Sequence, residues 1–276
     1  MRLPKLRTER SWRRARRTVI GLAAAGLALI LLDQVRIGGS LFGAALLCLT
    51  ILESAQLRGM ILEGQRQQYA LTQIRPLFGE LPPEIGGWAA DGIMIHNAVR
   101  LMLEARPRLV VECGSGSSTL VIARCLRALG GRIITLEHNP EYARRTSEML
   151  RHNGLDDLAK VVTAPLAPVE VEGKAVPWYG PEYEPFLNQP IDVLLIDGPP
   201  KATAPRARHP AVPLLKSHLA AECWILMDDG DRPDERAIAH AWSRDLGATL
   251  TYLEGGRGGW LLHREAPVAR VRPEGA

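Results

Sequence analysis

The stretch LVVECGSGSST, residues 109–119, decides the fold of this chain. It begins with a Val-rich apolar run that ends at Glu112, continues through Gly114 and Gly116, and then enters a helical pattern. Glycines between a strand and a helix let a ligand approach the backbone, and the free amides at the helix start offer it donors. Thr119 stands where the dinucleotide-binding motif has its third glycine, which disfavours NAD as the ligand. Taken alone, the stretch also fits a strand-to-helix turn that binds nothing.

Outward from this stretch, the sequence from Trp88 onward alternates short apolar runs with helical patterns. This alternation is typical of a parallel sheet covered on both faces. The last two apolar runs flank Gly255-Gly256-Arg257-Gly258 and predict a terminal hairpin. Strands are predicted at 109–112, 132–137, 160–163, 191–197, 223–228, 249–253 and 259–263, and helices at 90–104, 118–129, 140–152, 211–220 and 234–245.

A second acid, Glu137, ends the next predicted strand 21 residues after Gly116. A carboxylate at this place accepts the hydroxyls of a ribose, although an acid that caps the following helix is the alternative. The order acid-x-Gly-x-Gly, helix, strand, acid resembles the class I S-adenosylmethionine-dependent methyltransferases. Ile196-Asp197-Gly198-Pro199-Pro200 and Met227-Asp228-Asp229 add to this resemblance, which covers about residues 70–264 and is nearest to a bacterial small-molecule group.

The resemblance implies a Rossmann-like, doubly wound α/β fold with a mostly parallel seven-stranded sheet, and S-adenosylmethionine as the cofactor. Glu137 would hold the ribose, His138 would lie beside the adenine, and Asp197 would lie beside the transferable methyl group. The full set of implied cofactor contacts is Glu112, Gly114, Gly116, Ser118, Thr119, Glu137, His138, Ala164 and Asp197.

Three acids follow two neighbouring predicted strands, Asp197 after one and Asp228 and Asp229 after the other. Their carboxylates would together hold a divalent cation such as Mg²⁺, as in the metal-dependent catechol-type O-methyltransferases, which this triad resembles. The sequence departs from that pattern at Asp229, where those enzymes usually have Asn. The alternative is an acidic turn after a strand, with Asp234 capping the next helix.

A hydroxyl acceptor also requires a group that removes its proton. Asp197, Asp228 and His209 are the predicted catalytic residues, the last because an imidazole titrates near neutral pH. A histidine directly before Pro210 at a helix start fits a structural role equally well.

An aromatic, Pro-rich insertion separates the third and fourth predicted strands. It contains Trp178, Tyr179 and Tyr183 and is long enough for a lid or a wall of the acceptor site. The alternative is that these side chains cover the edge of the sheet.

The N-terminal region has two apolar runs, 19–32 and 37–52, behind an arginine-dense start. Each run spans a bilayer only with help from flanking residues, and positive residues stay on the cytoplasmic side. We therefore predict a membrane hairpin at the inner membrane, with the catalytic domain facing the cytosol. A signal peptide and a soluble helical hairpin are the alternatives. The predicted organisation is a basic tail at 1–17, a transmembrane hairpin at 18–52, a juxtamembrane helix at 53–76, the methyltransferase domain at 77–264 and a flexible tail at 265–276.

The net charge of +4 belongs to the N-terminal tail. Residues 1–17 hold eight Lys or Arg and one Glu, a charge of +7, which leaves −3 for the rest of the chain. This balance disfavours nucleic acid as a partner, and four scattered cysteines disfavour a disulfide framework.

The sequence thus predicts a membrane-anchored methyltransferase for a small or lipid-linked hydroxyl acceptor. Two alternatives stay open at this point, an NAD-dependent oxidoreductase and a non-catalytic ligand-binding module at the membrane.

Overall fold

The computed structural model describes residues 9–31, 35–77 and 91–266. The chain divides into two compact units, Met1–Gln65 and Arg66–Ala276. Several predicted features lie outside the described residues. They are the first eight residues of the basic tail, the interruption at 32–34, the start of the predicted domain at 78–90 and the tail from residue 267 onward.

Two helices make up the described part of the first unit, α1 (Glu9–Leu31) and α2 (Val35–Ile74), whose last nine residues belong to the second unit. The second apolar run and the predicted juxtamembrane helix form one continuous helix of 40 residues. The physical reason is that no proline interrupts this stretch before Pro76, where a short 3-10 turn follows the helix.

Within the first unit, α1 and α2 pack antiparallel through glycines. A Cβ atom added at Gly26 would lie 2.8 Å from the Phe42 nitrogen, and one added at Gly38 would lie 2.7 Å from a side-chain carbon of Ile30. Arg16 and Glu53 form an ion pair of 3.7 Å further along the same two helices. The two backbones therefore approach to a distance that larger residues would prevent.

The strands of the second unit are β1 (Leu109–Cys113), β2 (Arg132–Glu137), β3 (Ala159–Thr163), β4 (Leu166–Val171), β5 (Lys174–Tyr179), β6 (Ile191–Ile196), β7 (Leu219–Asp228), β8 (Thr249–Leu253) and β9 (Gly259–Arg264). Seven of them form one sheet in the order β3-β2-β1-β6-β7-β9-β8, and β4 and β5 form a separate two-stranded sheet. All neighbours in the seven-stranded sheet are parallel except β9, which is antiparallel to both β7 and β8. This confirms the predicted Rossmann-like, mostly parallel α/β fold.

Helices cover the sheet, and both of its faces contribute to hydrophobic cores. These helices are α3 (Gly92–Ala105), α4 (Ser117–Leu129), α5 (Pro140–His152), α6 (Ala211–Leu215) and α7 (Pro233–Leu246), with 3-10 turns at Pro181–Phe186 and Lys216–His218. The helix predicted at 211–220 is wrong in length. Leu219 instead begins β7 and pairs with Ile191 of β6, so a tertiary strand pairing overrides the local helical pattern.

The sequence prediction missed the antiparallel hairpin of β4 and β5, whose turn places Glu172 and Gly173 at positive φ. This hairpin occupies the predicted aromatic insertion. Trp178, Tyr179 and Tyr183 are buried in the core, which fits the alternative of aromatics covering the sheet and not an exposed acceptor wall.

The strand order reverses between β1 and β6, because β1 has β2 on one side and β6 on the other. In open α/β sheets, ligands bind at the carboxyl ends of the strands where the order reverses. The fold therefore places the glycine stretch after β1 and Asp197 after β6 at the same edge.

Candidate active site

The turn after β1 touches the turn after β6 through backbone atoms. Gly114 has φ of 98°, and a Cβ atom added there would lie 3.2 Å from the Gly198 nitrogen. The amides of Asp197 and Gly198 both donate to the Cys113 carbonyl, at 3.0 and 2.6 Å. A side chain at position 114 would face both backbone strain and the neighbouring turn. Gly114 therefore keeps Asp197 beside the glycine stretch.

Glu112 is buried at the end of β1 and bonds the start of α4. Its two oxygens accept hydrogen bonds of 2.6 Å, one from the Ser118 hydroxyl and one from the Thr119 hydroxyl. Burial raises the pKa of Glu112 to about 7, although both hydroxyl groups oppose this shift. Three of the predicted cofactor contacts are thus bonded to one another and fix the geometry of the turn.

Glu137 ends β2 with its carboxylate against the glycine turn. One carboxylate oxygen accepts from both the backbone amide and the hydroxyl of Ser115, each at 3.0 Å. The other accepts from the Asn139 amide at 2.9 Å, and the His138 Nδ1 lies 3.0 Å from it. Sequence reasoning missed Ser115, which lies between the two glycines. Its small hydroxyl side chain beside an acid-ended strand was the available signal.

The remaining predicted adenine contacts lie beside Glu137. The Ala164 amide follows β3, is fully buried and donates to the Glu137 carbonyl at 2.8 Å. The half-buried His138 ring meets Tyr179 edge to face, with 6.4 Å between ring centroids. The predicted cofactor residues thus converge at the carboxyl ends of β1, β2 and β3.

Asp197, Asp228 and Asp229 come together at the ends of β6 and β7, as predicted. One carboxylate oxygen from each lies within 4.8 Å of the others. Asp228 and Asp229 are buried, while 27% of the Asp197 side chain is exposed. Burial raises the pKa of Asp197 to about 8, Asp228 acts in the same direction, and Arg208 opposes them. Asp229 adopts φ of 60°, an uncommon conformation for a residue with a side chain.

Arg208 is a buried cation that sequence reasoning missed. It donates to the Asp228 carbonyl at 2.8 Å and to the Asp229 carboxylate at 2.7 Å. The same guanidinium reaches the Asp197 carbonyl at 2.7 Å and its carboxylate at 3.3 Å. The sequence signal was weak, because Arg208 lies in the loop between β6 and α6 among other charged residues.

Two further arginines bind the same acids. The Arg257 guanidinium donates to Asp228 at 2.8 Å, and its Nε lies 3.2 Å from Asp229. Arg232 pairs with the second oxygen of Asp229 at 2.7 Å. Both oxygens of Asp229 are therefore engaged by arginines, and the triad as built does not fit the all-oxygen ligand set of a divalent cation.

The structure does not bring His209 to the acids. The nearest carboxylate paired with its ring is Glu172 in the turn between β4 and β5, 3.9 Å away, and its carbonyl accepts from Trp242. Burial and the nearby Arg206 lower the pKa of this imidazole. Its neighbour Arg208 enters the cluster instead, so this placement favours the structural role for His209.

An apolar pocket joins the glycine turn to Asp197. It encloses about 300 Å³, including space open to solvent, between α3, α4 and the ends of β1 and β6. Its lining residues are Met94, Ile95, Ala98, Glu112, Ser118, Ile122, Leu195, Ile196 and Asp197.

Residues 111–230 match a family model described as a methyltransferase domain. This match supports the resemblance of the sequence to the class I S-adenosylmethionine-dependent methyltransferases. A putative caffeoyl-CoA O-methyltransferase structure from Staphylococcus aureus is 13% identical, with TM-score 0.52, covering 75% of this chain and 98% of that one. The S-adenosylhomocysteine-bound Podospora anserina methyltransferase PaMTH1 is 15% identical, with TM-score 0.50, covering 71% and 88%. These two likenesses concern the fold alone.

Two curated relatives match over shorter stretches. Catechol O-methyltransferase B of Danio rerio is 33% identical over 96 residues, which are 34% of this chain and 33% of that protein. Catechol O-methyltransferase of Mus musculus is 39% identical over 75 residues, 26% and 27% of the two chains. The match thus spans a third or less of these relatives. The match to a methyltransferase domain favours a methyltransferase over the NAD-dependent oxidoreductase that the sequence left open.

Proposed function

We propose that the methyltransferase domain transfers a methyl group from S-adenosylmethionine to a hydroxyl oxygen of a small acceptor. The observation that carries this proposal is the pocket that joins Glu112 and Ser118 of the glycine turn to the partly exposed Asp197. An acceptor in this pocket would lie next to both the Asp197 carboxylate and the glycine turn where the cofactor would bind. The two relatives named for catechol O-methylation support oxygen as the acceptor atom.

The residues of the glycine turn fit this cofactor. Glu137 ends β2 with a carboxylate held against the turn, where ribose hydroxyls would donate to it. Apart from Gly116 itself and its neighbours in the chain, no atom of the described residues lies within 4 Å of the position that a Gly116 Cβ would take, so there is space for a ligand against the backbone. When bound, S-adenosylmethionine supplies an electrophilic methyl group on a sulfonium.

The chain's own residues then have two tasks. The apolar pocket wall, with Met94 and Ile122, would align the acceptor and exclude water. Asp197 would accept the hydroxyl proton, because it is the pocket acid with an exposed carboxylate.

The test is transfer of labelled methyl from S-adenosylmethionine to catechols and to metabolite and membrane extracts, with the purified full chain. Asp197→Asn is expected to bind the cofactor but to lose most turnover. Asp245→Asn, at an exposed position of α7, is the matched control and should keep full activity. Cofactor binding without transfer to any acceptor would favour the non-catalytic ligand-binding alternative, and unchanged turnover in Asp197→Asn would remove its catalytic role.

We further propose that the first unit anchors the chain in the cytoplasmic membrane, with the domain on the cytosolic side. In the described part of the chain, α2 is long and apolar enough to span a membrane, with mean hydropathy 1.9 over its best window and only 11% of that window buried. The glycine packing against α1 supports a hairpin. A domain held there would meet lipid-linked acceptors as well as soluble ones. Retention in the membrane pellet after alkaline extraction tests the anchor, and release would refute it.

A further inference from the structure

The acidic cluster of the second unit is a balanced set of charges. Three carboxylates, Asp197, Asp228 and Asp229, stand against the guanidinium groups of three arginines. In a site of low dielectric, such balance removes most of the attraction that a bare triad of acids would have for a cation. Arg208 and Arg257 each pair with two of the three acids, whereas Arg232 pairs with Asp229 alone among them, so the first two decide what this cluster can bind.

Arg208 is buried in the cluster and held there by hydrogen bonds. Only 4% of its side chain is exposed, and its guanidinium bonds carbonyl or carboxylate oxygens at the ends of both β6 and β7. A buried arginine is permanently charged and presents its donors in a rigid fork. Its positive charge is therefore a fixed part of the site, and moving the side chain would take a donor from the carbonyls of Asp197 and Asp228.

The turn between β8 and β9 positions Arg257 at the cluster. The turn between β8 and β9 places Gly255 at φ of 108° and Gly258 at φ of 72°. The Arg257 amide donates to Asp91 at 3.1 Å, and a Cβ atom at Gly256 would overlap the same Asp91 carboxylate. Larger residues would not fit this path. The glycines thus hold the backbone where the guanidinium reaches Asp228 and Asp229.

The arginines engage the oxygens that a metal would need. Both oxygens of Asp229, one of Asp228 and one of Asp197 lie within 3.3 Å of a guanidinium nitrogen. Mg²⁺ requires six oxygens in near-ideal octahedral geometry and would stand only a few ångströms from two fixed positive charges.

We propose that the guanidinium groups of Arg208 and Arg257 occupy the place of a divalent cation, so that the cluster binds no metal and methyl transfer proceeds without one. The second half of this statement rests on the proposed function. The two arginines are positioning residues: Arg208 holds Asp197 at the pocket, and both neutralise Asp228 and Asp229 behind it.

The statement that the cluster binds no metal can be tested without an activity assay. Mn²⁺ is added to the purified full chain, and binding is measured as the loss of the electron paramagnetic resonance signal of the free ion. The wild type is expected to bind no stoichiometric Mn²⁺. Arg257→Gln uncovers one oxygen each of Asp228 and Asp229 and should bind the ion at least about tenfold more tightly. Arg257→Lys keeps the charge and should resemble the wild type. Arg244→Gln, an exposed position of α7, loses the same charge elsewhere and is the matched control.

One equivalent of Mn²⁺ on the wild type would overturn the proposal, and so would equal binding by wild type and Arg257→Gln. For the second half, turnover of the wild type should be unchanged by a chelator, and loss of turnover restored by Mg²⁺ would overturn it. Calorimetry with S-adenosylmethionine on the same samples distinguishes a failure of this proposal from a failure of the proposed function. A chain that binds neither Mn²⁺ nor the cofactor contradicts the proposed function but supports the closed cluster.

Discussion

Ser115 donates two hydrogen bonds to one oxygen of Glu137, from its amide and from its hydroxyl, both at 3.0 Å. The residue between the two glycines is thereby tied to the acid that ends the next strand. This contact orients the carboxylate before any ligand arrives, because a carboxylate fixed by donors cannot rotate away from the turn.

We predict that Glu137→Ala weakens S-adenosylmethionine binding by roughly 2–3 kcal/mol, because the ribose hydroxyls lose a charged acceptor. Ser115→Ala should weaken it less, by about 1 kcal/mol, because it only frees the carboxylate. Calorimetry measures both, with thermal unfolding as a check on folding. Ser147→Ala removes a hydroxyl that bonds only its own helix and serves as control. Equal affinity of Glu137→Ala and wild type would exclude the ribose role.

Gly114→Ala is expected to destabilise the second unit more than Gly130→Ala. Both glycines have positive φ, 98° and 83°, so both substitutions strain the backbone by about 1 kcal/mol or more. Only at Gly114 does the added carbon meet another turn, 3.2 Å from the Gly198 nitrogen, whereas no described atom lies within 4 Å at Gly130. Urea unfolding of the two variants gives the comparison. A larger loss at Gly130 would mean that the contact between the two turns is unimportant.

Much of the sheet was predictable because its central strands β1, β2 and β6 are buried on both faces. All five residues of β1 are buried, and β2 and α5 have the predicted bounds. The hairpin of β4 and β5 was not predictable in this way. It forms a separate two-stranded sheet with mixed burial and contains prolines, so its pattern resembles a loop.

The site residues at the ends of strands could be predicted from the sequence, whereas those that come from loops could not. Glu137 and Asp228 end strands, Asp197 directly follows one, and their convergence follows from the parallel sheet. Arg208 and Arg257 come from loops, and a sequence does not state which of many arginines turns inward. Adjacent side chains in a loop also diverge, which explains why the sequence pointed to His209 when its neighbour Arg208 is the residue in the cluster.

The two membrane helices of the proposed anchor predict a labelling pattern in intact cells. With Cys48 replaced by Ala, the other three cysteines are buried. Arg10→Cys and Arg244→Cys, made one at a time, should then resist an impermeant thiol reagent, since both lie on the predicted cytosolic side. Gln34→Cys, between the two helices, should react and is the positive control. Permeabilised cells should react at all three positions. Labelling at position 244 in intact cells would mean a single span with the domain outside.

The last prediction concerns the pH dependence of stability through Glu112. Burial raises its pKa in the folded state from an ordinary 4.5 to about 7, so between these values the folded chain holds a proton that the unfolded chain has released. Stability contributed by this group is therefore complete below about pH 4.5 and is lost as the pH rises to about 7. The shift corresponds to a cost of up to about 3 kcal/mol above pH 7.

Glu112→Gln keeps the shape but does not ionise, so the difference in unfolding free energy between wild type and variant isolates this residue. We expect the free energy of unfolding of the variant to rise relative to that of the wild type, by up to about 3 kcal/mol, between pH 5 and pH 7.5 in urea titrations. Glu104→Gln, exposed on α3, should show a constant difference over the same range. A constant difference for Glu112→Gln as well would mean that Glu112 stays ionised throughout, held by the hydroxyl groups of Ser118 and Thr119 despite its burial.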